Sequence, residues 1–595
     1  MSKRKRNGEM LRERFHSINH YDFVCDSGSC YCLFFWGMVY LLGSCLACNN
    51  FQCFSGFYEN SLLLGGRVMA TPIPETTPEL VTSVIVTIAA FLSISILLGF
   101  LMRKKAKSFE EWLVGHGDMG PFITGFALIA SYLSGWAVFG NAGLGYAYGW
   151  AGSWLIGTIC IMGMTLCLVI GYRMRRYVAL GARTVPEMLR VRFESRALQA
   201  LAGLAMIVLL IVYSVGQYKA MATVWTITTN TPFYWSLIAT AILVLVYIAV
   251  GGYTGTQWVS CFQGVLLTIV GWTLGVVALV WAGGPAKIAE AIRTQSFTKP
   301  GGETTTIPFE GYTLPLTPPE GLAFAGVDWV GITAAIFMFL FMATGFPHNI
   351  ARFLGTRKIS RREYWMMLLI LVIGGLTPLW IGSVGFAARA VWGDVLMTTE
   401  YDFGGRIYGD SSATLVSMSN GVPLASLFAA GVFAASVATL SGMVMIMATN
   451  ITRDFIHNVR PTVSSKKLLW LTRVMLVPFI GIPLWWNLTS PPPILSELMA
   501  GSAVAQAGIF FFVVGISMYW KRATKWGGIA TIIYGLVLTI LHPNAYGKLI
   551  GLYHWGYWAL LLMFGSSLTY FTISLITKPV AEEKIAKLFP KRRSD

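Results

Sequence analysis

Residues 123–149 read ITGFALIASYLSGWAVFGNAGLGYAYG. The stretch is apolar and long enough to cross a bilayer, which takes roughly 20 residues. Yet it carries Gly125, Gly135, Gly140, Gly143 and Gly145, and it sets Ser131, Ser134 and Asn141 inside the apolar run. Residues 328–350 read DWVGITAAIFMFLFMATGFPHNI, with Gly345 and Pro347 toward one end. In lipid an interrupted helix survives only where it is buried in protein or lines a cavity. Two interrupted spans in corresponding places point to a carrier built from inverted repeats, with its site near the bilayer midplane. Close helix packing through glycine is the plainer account of the same residues.

Working outward, we read thirteen apolar segments, near 80–102, 121–148, 151–172, 197–224, 232–250, 255–283, 328–348, 364–391, 422–449, 468–487, 493–520, 526–542 and 556–577. The two interrupted spans each open a group of five, 121–283 and 328–520. The organisation expected is therefore an N-terminal extension (1–68), a first helix and cytoplasmic loop (69–120), repeat 1 (121–283), an external loop (284–327), repeat 2 (328–520), two further helices (521–577) and a cytoplasmic tail (578–595). Composition agrees. Of 595 residues 55% are hydrophobic and 12% charged, with a mean hydropathy of +0.63. Half the usual share of charge cannot cover a soluble surface of this size. The fold class is all-α and integral to the membrane.

The net charge of +17 suggests nucleic acid at first sight. Its distribution says otherwise. Past residue 69, with 103–120 placed in the cytoplasm and the segments alternating from there, the cytoplasmic loops and tail hold 29 Lys and Arg, against six in the external loops and span ends: Lys287, Arg293, Lys299, Arg389, Arg406 and Lys548. Only Lys219 and Arg473 fall within spans. This asymmetry is the positive-inside pattern of a cell-membrane protein. It sets the core N-terminus outside and the C-terminus inside, with lipid and not nucleic acid as the large partner.

The first 68 residues stand apart. They hold six of the nine cysteines, a basic run at Lys3–Arg6 and an apolar stretch near 32–49. Read literally this is a signal-anchor helix. The reading we favour starts the working protein at Met69, so that removal of 1–68 leaves function intact. The cysteine spacing matches no metal-site pattern.

Several function classes drop out. Haem and copper sites need paired ligands at helical spacing. Of seven histidines only His348 lies near a span interior, and no second histidine accompanies it. No phosphate-binding GxxxxGK[ST] sequence is present. An enzyme and a primary pump are thereby disfavoured. A secondary carrier remains, or a transporter-like receptor that senses a small solute without moving it.

Four stretches then carry a resemblance. They are ASYLSGW (130–136), RTVPEMLRVRF (183–193), GGY with WVSCFQG (251–253 and 258–264) followed by GFPHNIARF (345–353), and AASVATLSG leading to TRD (434–442 and 452–454). In this order the chain resembles the sodium:solute symporter family, which contains the proline/sodium, pantothenate, acetate and glucose/sodium symporters. The resemblance implies a LeuT-type fold with an inverted five-helix repeat. It implies no cofactor beyond the coupling ion, a sodium held between the first and eighth core helices.

Carried over by motif, the resemblance implies cation-ligating carbonyls at Ala130, Leu133 and Ala435 and a hydroxyl pair at 438 and 439. Here 438 is Ala438, and only Thr439 keeps a hydroxyl. Two positions that are acidic in the proline symporter are Tyr132 and Ser260. Oxygen ligands suit a hard cation, and proton coupling or plain facilitated exchange are the alternatives that these losses open. The same matching implies a solute pocket at Ser134, Trp136, Phe339, Met342 and the Ala500 region. These side chains offer few hydrogen-bonding groups, which disfavours a sugar. A small organic acid or an amino acid such as proline fits better.

Lys219 stands out in an otherwise uncharged span, where a charge is costly and a functional candidate by default. At 1.5 Å per residue it lies roughly 34 Å along the helix from Arg196, in the external third. Two readings stay open. Its stem snorkels to the interface, or its ammonium faces the pocket, where it pairs with a substrate carboxylate or carries the coupling proton.

Overall fold

Thr77 caps the first long helix, accepting the Leu80 N–H at 3.2 Å, and Pro78 and Glu79 fill its first turn. Both residue types suit the positive end of a helix. This helix, α1 (Pro78–Arg103), is the first element of a computed structural model. The structure describes residues 72–103, 117–293, 296–298, 304–306, 329–393, 395–398, 411–489, 495–541 and 555–589. The apolar stretch near 32–49 and the rest of 1–68 lie outside the described residues.

Helix α2 (Pro121–Tyr132) ends without proline or glycine. Leu133 turns out of the helix at ψ 88°, Ser134 is extended at ψ 177°, and α3 (Gly135–Gly171) resumes with its first part bent 55° from α2. Next come α4 (Val185–Phe193) and α5 (Arg196–Thr229). Both are capped by hydroxyls: Glu187 N–H donates to Thr184 and Leu198 N–H to Ser195. Helix α6 (Phe233–Trp281) is continuous over 49 residues. A three-residue hairpin follows, β1 (Ser296–Thr298) against β2 (Thr304–Thr306).

The second half opens with α7 (Trp329–Gly345). Phe346, at ψ 112°, breaks it before α8 (Pro347–Ile350). Helices α9 (Arg361–Gly375) and α10 (Thr377–Trp392) are nearly continuous, and α9 starts from a capping box in which Ser360 and Glu363 each bond the other's backbone N–H. Then follow α11 (Ser412–Ser419), α12 (Val422–Thr449), α13 (Ser465–Thr489), α14 (Leu495–Phe510), α15 (Lys525–Ile540) and α16 (Trp555–Ile576).

Among the described residues each of the thirteen apolar segments lies mainly on helix. Two separations differ from expectation. α3 runs through the gap after 148, and α6 through the Gly251–Gly252 pair. Helix is the conformation that satisfies the backbone internally, which outweighs the propensity of a few glycines. Among the described residues nine helices are long and apolar enough to cross a membrane, ten if the bent α2–α3 pair counts as one span.

Helix α12 is the hub. Some 89% of its most apolar window is buried, against 33% for α1, α13 and α16. Its neighbours are α5, α6, α1 and α2, so it stands behind the first break. On the outer helices Val280, Ile540, Leu568 and Ile576 are 70% exposed or more, which marks the surrounding solvent as lipid. Helices α3 and α10 meet backbone to backbone. A Cβ on Gly385 would lie 1.8 Å from the Ala142 carbonyl oxygen, so no other residue fits there without moving a helix.

Candidate cation and solute site

A helix that stops leaves carbonyls unpaired. In α2 the residue four beyond Ser131 is Gly135, whose N–H donates instead to Gln217 Oε1 on α5 at 2.9 Å. Gln217 thus draws the first turn of α3 away from α2. A Cβ at Gly135 would lie 2.5 Å from Ser436 Oγ and 2.8 Å from Ala220 Cβ, so glycine lets α5 and α12 close on the break. Tyr213, on the same face of α5 as Gln217, holds the break at Ser134, their hydroxyls sharing a 3.1 Å hydrogen bond.

The freed carbonyls face α12. Thr439 Oγ1 is 3.4 Å from the Ala130 carbonyl, 3.5 Å from that of Ser131 and 2.9 Å from that of Ala435 on its own helix. Oxygens around a hard ion of calcium's size lie about 2.4 Å from it, which sets adjacent ligands about 3.4 Å apart in an octahedron. The two contacts across the break, 3.4 and 3.5 Å, are of that size, while the 2.9 Å contact to Ala435 is the hydroxyl's hydrogen bond within its own helix. The cluster brings together Ala130, Ala435 and Thr439 of the residues singled out above and adds the carbonyl of Ser131. Leu133 supplies the break, and its N–H donates to Ile129. Ala438 brings only a methyl group, while its carbonyl accepts from Arg352 Nη2 at 3.2 Å and from Ser441 at 3.0 Å.

The solute candidates sit on the other side of the break. Trp136 and Phe339 stack at 5.4 Å with their rings within 10° of parallel, joining α3 to α7. Phe339 and Met342 are both buried. Ala500 falls on α14, with its side chain outside the described set. Tyr132 OH donates to the Phe339 carbonyl at 3.0 Å and so ties the two broken helices together. Ser260 is buried, and its Oγ makes no hydrogen bond among the described residues. Lys219 is half-buried on α5, one residue and hence about 100° round from Ala220, which packs on Gly135.

Tyr213, Gln217 and Ser436 were not among the residues expected. A tyrosine and a glutamine four apart inside an apolar span are a legible signal, because they share one helix face. Ser436 gives no such signal, since hydroxyls inside spans commonly bond their own helix. Gln217 Nε2, Ser131 Oγ and Ser436 Oγ are buried without protein partners among the described residues. Buried polar atoms require partners, so the break presents donor and acceptor capacity that an ion, a solute or water can satisfy.

Comparison with known proteins bears on the family and the fold. The sodium/proline symporter of Salmonella typhimurium is 25% identical over 484 residues, covering 79% of this chain and 89% of the relative. That of Escherichia coli is 26% identical over 487 residues, with the same coverage. The high-affinity proline transporter PutP of Bacillus subtilis is 23% identical over 464 residues, 76% of this chain and 90% of its own. A solved structure of a Na+-coupled sialic acid symporter, in a substrate-bound outward-open state, superposes with a TM-score of 0.64 at 15% identity over 84% of this chain and 99% of that one. The fold is therefore of the LeuT type. The profile of the sodium:solute symporter family matches residues 112–535. The chain belongs to that family, as a multi-pass membrane transporter, not an enzyme, that performs cation-coupled symport of a small solute.

Proposed function

We propose that the coupling ion is sodium, held by the Ala130, Ser131 and Ala435 carbonyls and the Thr439 hydroxyl, and that the solute is a small amino or carboxylic acid such as proline. The observation that carries the cation assignment is the Thr439 hydroxyl within 3.5 Å of three carbonyls from two helices, beside a break that Gln217 holds open. The apolar solute wall of Trp136, Phe339 and Met342, with Ser134 as its polar member, suits a compact solute better than a polyol. The proline-transporting relatives support the same choice. The cytoplasmic placement of the C-terminus rests on the charge asymmetry alone.

A second reading, proton coupling, has one specific observation behind it. The position that would add a second hydroxyl is Ala438, whose carbonyl is committed to Arg352. Uptake of labelled proline, acetate, pantothenate and glucose into proteoliposomes, with and without a sodium gradient, separates the readings. We expect sodium-dependent uptake of proline or acetate. Thr439→Ala should raise the sodium concentration for half-maximal uptake about tenfold or more, the loss of one charge-assisted ligand contact. Unchanged sodium dependence in that variant refutes the cation assignment.

A further inference from the structure

Beyond Thr449, helix α12 continues as eight π-helical residues, Asn450–His457. Such wide turns are rare and are frequent at functional sites. Here they carry two links to the short helix α4. Asp454 Oδ1 accepts from Thr184 Oγ1 at 2.7 Å, and Arg453 Nε donates to Glu187 Oε1 at 2.8 Å. The same two residues of α4 begin that helix. Thr184 accepts the Glu187 N–H as its cap, and Glu187 Oε2 accepts the Arg183 N–H at 2.8 Å. Asp454 is wholly buried, and its Oδ1 also accepts from Gln199 Nε2 on α5 at 2.8 Å. The first turn of α4 is therefore strung to the end of α12 by side chains alone.

The far end of α4 is held differently. Arg192 there donates to the carbonyls of Ser517, Trp520 and Lys521. The chain enters α4 past Gly181, which is exposed, sits at φ +101° and has open space where a Cβ would be. Element-terminal residues of this kind absorb the backbone change at a hinge.

Under the strung end lies a cleft of about 570 Å³, open solvent included. Thr184 and Val185 line it from the start of α4, Ile446 and Thr449 from α12, and His348 and Arg352 from the second broken helix and the turn after it. His348 joins the cleft to the break. Its ring centre is 6.3 Å from that of Tyr213, whose hydroxyl bonds Ser134, and 5.0 Å from that of Phe346, where α7 is interrupted.

A cleft that reaches the break from one end of the bundle, under a short helix tied down by two side-chain links, is built as a covered route. We propose that α4 is its lid. With Thr184 on Asp454 and Glu187 on Arg453 the route is shut. Exchanging both links for water frees the first turn of α4 to swing between Gly181 and Arg192, opening the cleft on the side that the charge asymmetry assigns to the cytoplasm. The proposal rests on the chain being a symporter and on neither the sodium nor the solute assignment.

The test replaces Ile446, on the cleft wall, by cysteine in the full chain and follows its labelling by N-ethylmaleimide, peptide by peptide in a mass spectrometer. The reagent crosses the bilayer, so the result does not depend on which side the lid faces. With the links intact the thiol should react far more slowly than a free thiol. Thr184→Val and Glu187→Gln should each speed it about fivefold, the shift that one net hydrogen bond makes in a two-state balance. Thr184→Ser, which keeps the hydroxyl, should leave the rate unchanged. The buried thiols of Cys160 and Cys167 should keep their rates in every variant, whereas a general loosening would raise them. Arg453→Gln breaks the Glu187 link from the other side and replaces either variant that fails to reach the membrane. In uptake of the labelled solutes, joining Glu187→Cys to Arg453→Cys with a short bis-methanethiosulfonate should stop entry, and dithiothreitol should restore it. A free-thiol rate at Ile446→Cys with the links intact, a rate that stays slow when they are broken, or uptake through the bridged chain overturns the proposal. The labelling needs neither solute nor sodium, so its failure is distinct from failure of the symport assignment.

Discussion

Lys219 shows how far a residue can be read alone. Its cost in an apolar span is legible from the sequence, but its direction is not. The structure turns Tyr213, Gln217 and Ala220 of α5 to the break and leaves Lys219 on the flank, half-buried. This placement favours the snorkelling stem over the pocket. Lys219→Met should therefore keep at least half of the parental uptake at equal expression, measured as the initial rate in proteoliposomes. Abolished uptake, with partial recovery in Lys219→Arg, would instead put the ammonium on the solute. Thr439 is the opposite case. Its hydroxyl was singled out by motif, yet its partners Ala130 and Ser131 lie more than 300 positions away and only the packed chain brings them within reach. Tyr132 likewise braces one broken helix against the other through a partner more than 200 positions away.

At the scale of elements, the broken helices were visible as glycine-rich and proline-containing spans, though the first break falls at Leu133 and Ser134, which are not helix breakers. Leu133 and Ser134 leave the helix because Gln217, on another helix, captures the N–H that would have closed the next turn. Besides Gly135 at the break, glycine works at the α3–α10 contact. Gly145 and Gly385 each face the opposing backbone, so closely that an added Cβ would lie 2.0 Å from the Gly382 carbonyl oxygen and 1.8 Å from that of Ala142. Overpacking of this kind costs about 1–3 kcal/mol. Gly385→Ala should lower the midpoint of thermal unfolding in detergent by several degrees, whereas Gly481→Ala, with open space around it inside α13, should not lower the midpoint and, through the better helix propensity of alanine, should raise it slightly. Arg192 is a second contact invisible in one dimension. On the short helix α4 it is buried, and its guanidinium donates at 3.0 Å to each of three carbonyls, those of Ser517, Trp520 and Lys521, beyond the end of α14. Cations favour that negative helix end.

For the whole molecule, topology carries the prediction. The 29-to-6 division of Lys and Arg holds only if the segments alternate as read, so a reporter fused at Asp595 should be cytoplasmic. An external reporter would mean a missed or surplus span. What the sequence alone determined was class and order: a chain with this little charge must face lipid, and in lipid only helices of known minimum length satisfy the backbone. Apolar runs, loop charges and interrupted spans are local properties, and they are written locally. What only the tertiary structure decided was convergence. The cation cluster joins α2 to α12, the stack of Trp136 on Phe339 joins α3 to α7, and the cleft at Arg352 joins α6, α8 and α12. Each depends on where distant helices cross, and crossings follow from packing of small residues at contacts such as Gly385 on Ala142. Helix propensity and hydropathy do not encode which face of one span meets which face of another, so the site emerges only when the spans are packed.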